Sequence, residues 1–330
     1  MEFFKDKKVF VTGSGGFIGS QLSERLLELG ANVTCFLRYT SSNNIGNLKH
    51  LPKDLIERAK IEYGDIRDYE RIKYLIEGQE IVFHLSSSIS IPYSYMGIRD
   101  VVSTNIDGTL NVLTASKEAD IDKLIHTSTS EVYGSGQYFP IDEKHPLCAQ
   151  SPYSASKIAA DKLVESFEKS YDLPVVVVRP FNTYGPRQSA RAIIPTIITQ
   201  AVIREKIYLG SLHPKRDFTY VSDTVNGFLI SAESSTSSGQ VFNIGSGIDV
   251  SIGDLCKIIL NILGLEREIL SCEERIRPDN SEVSRLQADY SKAKNFLGYT
   301  PKVNLEVGIQ RTIDFLEKNI FNYKADVYRF

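Results

Sequence analysis

Apolar positions in the first half of the chain follow two alternating rhythms. Short runs rich in β-branched and aromatic residues predict strands at Lys8–Thr12, Val33–Leu37, Lys60–Glu62, Ile81–Leu85, Leu124–Thr127 and Val175–Val178. Between them, Gly19–Leu29, Tyr69–Glu77, Asn105–Glu118 and Pro152–Ser170 carry apolar residues at helical spacing. Strands that alternate with helices predict an α/β fold, a doubly wound parallel sheet with helices on both faces. The runs KVFVT, IVFHL and VVVV are apolar throughout, as strands covered on both sides require.

After Pro180 this rhythm breaks. The pattern predicts helices at Ala192–Arg204, Asp223–Ser234, Ile252–Leu263, Lys292–Leu297 and Leu305–Lys318, with a short strand pair between the first two, a strand at Gln240–Asn243 and a solvated loop at Ser234–Gly239. At 330 residues the chain exceeds one ordinary core, so two lobes are expected. Residues 1–181 and about 217–247 form the first in this reading, with a smaller α/β lobe from about 182–216 and 248–330.

A net charge of −3 argues against nucleic acid or an anionic membrane as the main partner, so an anionic ligand must be held by local cations and backbone amides. Cys35, Cys148, Cys256 and Cys272 form no Cys-x-x-Cys pair, which suits reduced thiols in a cytoplasmic protein better than a disulfide frame or zinc site. The opening residues run straight into a strand without the apolar region of a signal peptide, and no stretch approaches the about 20 apolar residues that span a bilayer. A cytoplasmic location without membrane contact is the expectation.

Gly13, Gly16 and Gly19 fall at the turn from the first strand into the first helix. Glycines there let the backbone approach a pyrophosphate at a helix N-terminus, where free amides and the helix dipole favour anions. The Gly-x-x-Gly-x-x-Gly spacing resembles the short-chain dehydrogenase/reductase superfamily, which implies a Rossmann-type first lobe. The second strand reads VTCFLRYTSS, without the acid that usually holds an NAD ribose, and Arg38 stands at its end. A guanidinium suits a 2′-phosphate, so NADP is expected, with NAD the alternative. The resemblance implies that Asp65 meets the adenine and adds Phe17, Ile18, Ile66 and Leu85 to the cofactor contacts.

Two further segments carry chemistry. TSTSEVYG follows the fifth strand, and YSASK opens the next long helix. Tyr153 and Lys157, four apart, share a helical face, and a nearby ammonium favours the phenolate form of a tyrosine. Thr129 is placed to hydrogen-bond a reacting oxygen, and alternation past the strand end would aim Glu131 into the same pocket. A sugar 4-epimerase needs no such carboxylate. A 4,6-dehydratase does, because it removes a proton from C5 and expels water from C6.

These segments, together with RPFNTYGP, KRDFTYVSD, NIGSG and RPDNSEV, resemble the nucleotide-sugar branch of the extended short-chain dehydrogenase/reductase family from Lys8 to about Lys318. Thr-Ser-Glu resembles GDP-mannose 4,6-dehydratase, whereas dTDP-glucose 4,6-dehydratases carry Thr-Asp-Glu. HLSSSISIPYSY, SPYSASK and GPRQSARAIIPTIITQ resemble the legionaminic-acid pathway's GDP-N-acetylglucosamine 4,6-dehydratases. The implied function is loss of water from a nucleotide-linked sugar, giving a 4-keto-6-deoxy product by internal hydride transfer. Ser130 takes the place of the dTDP enzymes' acid, which leaves Glu131 to act alone. UDP-glucuronate decarboxylation and 4-epimerisation on the same scaffold stay open, and a non-catalytic dinucleotide-binding protein is the remote alternative. Asn182, Arg187, Arg216 and Arg277 are the implied contacts to the substrate, although a surface ion pair explains any one arginine equally well. His84 is expected beneath the cofactor and Asn105 in a structural hydrogen bond. Neither His126 nor Cys148 reads as a ligand, and no metal site is expected. The resemblance also implies a homodimer through Asn105–Glu118 and Pro152–Ser170.

Overall fold

A computed structural model describes residues 2–275, 278–320 and 323. Strand β1 (Lys8–Thr12) leads through helix α1 (Phe17–Glu28) to β2 (Asn32–Arg38). Helix α2 (Lys53–Arg58), β3 (Lys60–Gly64), α3 (Tyr69–Ile76) and β4 (Ile81–His84) follow. Two short helices, α4 (Ile91–Met96) and α5 (Ile98–Val102), pass through a π-helical segment into α6 (Gly108–Glu118) and then β5 (Lys123–Thr127). The long helix α7 (Pro152–Tyr171) then delivers β6 (Val175–Pro180).

These strands, joined by β10 (Val241–Ile244), form a seven-stranded parallel sheet in the order β10-β6-β5-β4-β1-β2-β3. The predicted sheet is present. Val9 and Val11 pack into the core on one face, Phe10 and Val82 on the other, all fully buried. Burial on both faces is why these strands are apolar throughout rather than alternating. Successive strands run outward from β1 to β2 and β3, while β4 lies on its other side. Order reverses at β1, and the crevice beyond the carboxyl ends of β1 and β4 is where ligands of such sheets bind.

Past β6 the chain forms β7 (Asn182–Tyr184), α8 (Ile193–Ile203), β8 (Lys206–Leu209), β9 (Lys215–Tyr220) and α9 (Val221–Glu233) before β10. It ends with β11 (Asp249–Ser251), α10 (Ile252–Leu263), β12 (Glu268–Ser271), β13 (Arg285–Leu286), α11 (Ser291–Leu297) and α12 (Leu305–Asn319). β9 pairs with β7, β11 and β13, and β8 pairs with β12. Helix α9 and β10 return to the large sheet, whereas β9 belongs to the smaller one.

Two helix starts set up the site. Gly16 caps α1 in an extended conformation without a side-chain hydrogen bond, and the first turn holds no acid. Its amides are therefore available to an anion. Helix α7 starts at Ser151, whose hydroxyl accepts from the Ser154 amide while the Ser154 hydroxyl answers the Ser151 amide, with Pro152 at the first helical position. Such a reciprocal cap fixes the first turn. Tyr153, Lys157 and Asp161 share the buried face that follows. Among the described residues, no helix is long and apolar enough to cross a membrane.

Candidate active site

A cavity of about 920 Å³ runs over the carboxyl ends of the parallel strands to the small sheet. Its walls include the glycine turn at one end, Thr129, Glu131, Tyr153 and Lys157 in the middle, and Asn182 and Arg216 towards the other end.

The glycine turn fits a pyrophosphate. A Cβ on Gly19 would stand 2.2 Å from the Gly13 carbonyl oxygen, so only glycine lets α1 start this close to β1. Gly13, Gly16, Phe17 and Ile18 line the cavity with it. Arg38 is exposed at the end of β2 on the cavity rim. Ile66 and Leu85 line the same end. Asp65 also reaches it, with its carboxylate held by Arg67 through Nε to Oδ1 at 2.8 Å and Nη2 to Oδ2 at 2.6 Å. The Arg67 hydrogen bond lowers Asp65 to about 2. Arg67, which pattern reading passes over, therefore shares this rim with Arg38.

Behind the turn, His84 is sealed from water. Thr12 Oγ1 accepts from the Leu85 and Ser86 amides, so its own proton goes to His84 Nδ1, 2.9 Å away. Thr109 donates to the Asn105 carbonyl and so accepts from His84 Nε2 at 3.1 Å. These bonds assign the neutral tautomer protonated at Nε2. Burial agrees, holding His84 well below its ordinary pKa. His84 thus pins the loop after β4 through hydrogen bonds at both ring nitrogens. Asn105 clamps the same loop: Oδ1 accepts from the Ser88 amide at 2.7 Å and from Ser87 Oγ at 2.9 Å, and Nδ2 donates to the Ser88 carbonyl at 3.1 Å.

In the middle, Thr129 is the extended residue that caps a 3₁₀ turn over Ser130–Tyr133. Its hydroxyl accepts from the Glu131 amide at 3.2 Å, and Tyr153 lines the same stretch of the cavity. Strand alternation does not continue past β5. The 3₁₀ turn still brings both Thr129 and Glu131 to the cavity, while Ser130 is buried and does not line it. Ser130 is therefore corrected from a site residue to a packed one, because the tight turn points it into the protein. The Lys157 ammonium donates to the Thr127 carbonyl at 2.7 Å, and burial lowers it to about 8. The acidification of Tyr153 expected from Lys157 is not the dominant effect. Burial raises the phenol above its ordinary range, Glu131 and Asp161 add to the rise, and the Thr129 hydroxyl opposes it.

One turn beyond Lys157, Asp161 accepts from Ser128 Oγ at 2.8 Å and from Arg179. Burial disfavours its charge, yet His126, Arg179 and Lys157 together hold it at about 2. Arg179 also donates to the Tyr133 hydroxyl at 3.0 Å, which in turn donates to Asn243 Oδ1 at 2.7 Å. This network joins β5, α7, β6 and β10 next to the cavity residues Thr129, Tyr153 and Lys157. His126 lies within it, its Nε2 3.5 Å from Asp161 Oδ1, and burial lowers it to about 4.

Towards the small sheet, Asn182 lines the cavity and its Oδ1 is buried without a hydrogen-bond partner among the described residues. Arg216 lines it too, with Nη2 3.0 Å from Glu282 Oε1. Arg187 does not. Its backbone is left-handed at φ +70, and its guanidinium turns back to Glu24 of α1 at 2.6 Å. The predicted phosphate contact is corrected to an ion pair between the substrate side and α1. Arg277 lies outside the described residues.

This sheet and glycine turn are those of the short-chain dehydrogenase/reductase fold, and comparison with known proteins places the chain among its sugar-nucleotide dehydratases and epimerases. The chain belongs to the GDP-mannose 4,6 dehydratase family, whose model matches residues 10–312. It is 33% identical over 314 residues to the low-salt glycan biosynthesis protein Agl12 of Haloferax volcanii, covering 93% of this chain and 97% of that protein. Among solved structures it is similar to the dTDP-glucose 4,6-dehydratase of Streptomyces venezuelae, which holds NAD, with a TM-score of 0.87 and 28% identity over 96% of this chain and 98% of that one. The UDP-glucose 4-epimerase of Thermotoga maritima with UDP-glucose superposes with a TM-score of 0.86 and 30% identity, covering 94% of this chain and 99% of that one.

Proposed function

We propose that the chain is a nucleotide-sugar 4,6-dehydratase acting on GDP- or UDP-N-acetylglucosamine, with NADP as the favoured cofactor. The observation that carries this reading is Glu131 on the cavity wall beside Thr129 and Tyr153, a carboxylate that simple epimerisation does not need. When bound, a nicotinamide cofactor supplies the acceptor and later donor of the hydride that leaves C4 and returns to C6. Gly13, Gly16 and Gly19 would hold its pyrophosphate and Lys157 its ribose, with Arg38 positioned for a 2′-phosphate. Tyr153 takes the proton of the C4 hydroxyl, and Thr129 steadies that oxygen. The resulting 4-keto group acidifies C5, where Glu131 removes the proton. With serine at position 130, Glu131 also protonates the departing C6 hydroxyl. Asn182 and Arg216 hold the diphosphate.

The likeness to a 4-epimerase favours a second reading, C4 epimerisation, in which Glu131 is dispensable. Mass spectrometry of the protein with GDP- and UDP-N-acetylglucosamine, GDP-mannose, dTDP-glucose and UDP-glucuronate separates the two. Loss of one water from a substrate, stopped in Glu131→Gln while C4 oxidation persists, supports dehydration. An unchanged mass with an inverted C4 supports epimerisation, and loss of carbon dioxide from the glucuronate makes it a decarboxylase.

We further propose a cytoplasmic homodimer. Met96, Ile98, Val102 and Leu110 are exposed along α4 to α6, an apolar patch suited to a second copy. A monomer in light scattering would reject this.

A further inference from the structure

We propose that Asn47 is a positioning residue that couples the glycine cradle to the wall of the substrate cavity, so that a dinucleotide in one raises affinity for a nucleotide in the other. The proposal rests on the nucleotide-sugar reading above. Asn47 lies in the 3₁₀ turn Gly46–His50 after β2. Its amide donates to the Gly15 carbonyl at 2.9 Å, and its Nδ2 donates to the Arg187 carbonyl at 3.0 Å. Gly46 permits this approach: its φ is +61, and a Cβ there would stand 2.4 Å from the Gly15 oxygen. One residue therefore ties the cofactor turn to the substrate-side segment.

That segment is held at three successive carbonyls by three different elements. Gln21 of α1 donates to Pro186 at 2.8 Å, Asn47 to Arg187, and the Tyr323 hydroxyl to Gln188 at 2.9 Å. The Arg187 side chain returns to α1 through Glu24 and reaches the His50 carbonyl at 3.3 Å. Gln188, Ser189 and Arg191 then line the cavity. Asn47 does not line it and so acts through these neighbours. Gln21 belongs to α1, which starts at the cradle, and Asn47 bonds Gly15 within the glycine turn itself, whereas Tyr323 is hydrogen-bonded to neither. A pyrophosphate that fixes Gly15 and Gly16 fixes the Asn47 backbone, and the segment then has less freedom to lose when a nucleotide binds. Such coupling acts equally in both directions.

Calorimetric titration of the whole protein with GDP, UDP and dTDP, with and without saturating NADP or NAD, tests this. The tightest nucleotide should bind at least about 5-fold more tightly with the dinucleotide present. The ratio should fall to about one in Asn47→Ala. Should that variant fail to fold, Asn47→Asp, which replaces the Nδ2 donor with a charged acceptor, carries the same expectation. Tyr323→Phe removes a clamp that does not touch the cradle, so it should weaken nucleotide binding by the same factor in both conditions and leave the ratio intact. Equal affinities in the wild type, or a ratio that survives in both Asn47 variants, overturn the coupling alone. No binding of any nucleotide overturns it together with the nucleotide-sugar reading.

Discussion

Arg179 donates from Nε and Nη2 to the same oxygen of Asp161, at 3.2 and 2.9 Å, where both side chains are almost sealed from water. Removing one partner of such a pair leaves a buried charge without a counter-ion. Asp161→Asn should therefore cost roughly 3–5 kcal/mol in urea unfolding. Pairing it with Arg179→Met should recover part of that loss. A loss below about 1 kcal/mol, the range of exposed ion pairs, would mean that water reaches the guanidinium.

Lys157 should leave a signature in alkaline stability. Its folded value is about 8 against an ordinary 10.5. Below about 8 both states carry the ammonium, and the folded state bears the full cost of burying it; above 10.5 both are neutral. In between, the unfolded chain binds more protons, so this group makes stability rise with pH. The unfolding free energy of wild type minus that of Lys157→Met should climb by about 3 kcal/mol from below pH 8 to above 10.5. A flat difference would place the lysine in water.

Arg187 should behave as a strut between the two halves of the cavity wall. Arg187→Ala should lower stability by roughly 2 kcal/mol, the scale of a hydrogen bond to a charged group. Glu24→Gln should be non-additive with it by at least about 0.5 kcal/mol in a double-mutant cycle. Additive effects would show that the 2.6 Å contact contributes nothing in solution.

Cofactor choice should turn on Arg38. Losing one charge-assisted contact costs about 1.5–3 kcal/mol, which is roughly 10- to 100-fold in affinity. Arg38→Ser should weaken NADP by that factor and leave NAD within about threefold. Equal losses for both would assign 2′-phosphate recognition elsewhere, with Arg67 the next cation on that rim.

The parallel sheet could be read from the sequence because strands buried on both faces are unbroken apolar runs. β1 spans the residues its pattern predicts, and β2 extends one residue further at each end. The glycine turn and the Tyr153/Lys157 face were legible for the same reason: both follow from local spacing. The small sheet was not, since β7, β11 and β13 have only three, three and two residues and exist through distant partners. Arg187 misled because sequence places it beside a substrate motif, whereas its left-handed backbone decides where the side chain goes. Ser130 misled because a 3₁₀ turn replaces strand alternation. Asn47 carried no signal, as its two bonds join positions that meet only in the folded chain.

The Ser151–Ser154 cap holds the first turn of α7, and Tyr153 stands in that turn. Fraying of the turn would release Tyr153 from the cavity wall, while Lys157 and Asp161, one and two turns further on, stay anchored to the Thr127 carbonyl and to Arg179. Weakening this cap, through Ser151→Ala and Ser154→Ala together, threatens the aim of the active site before it threatens the helix.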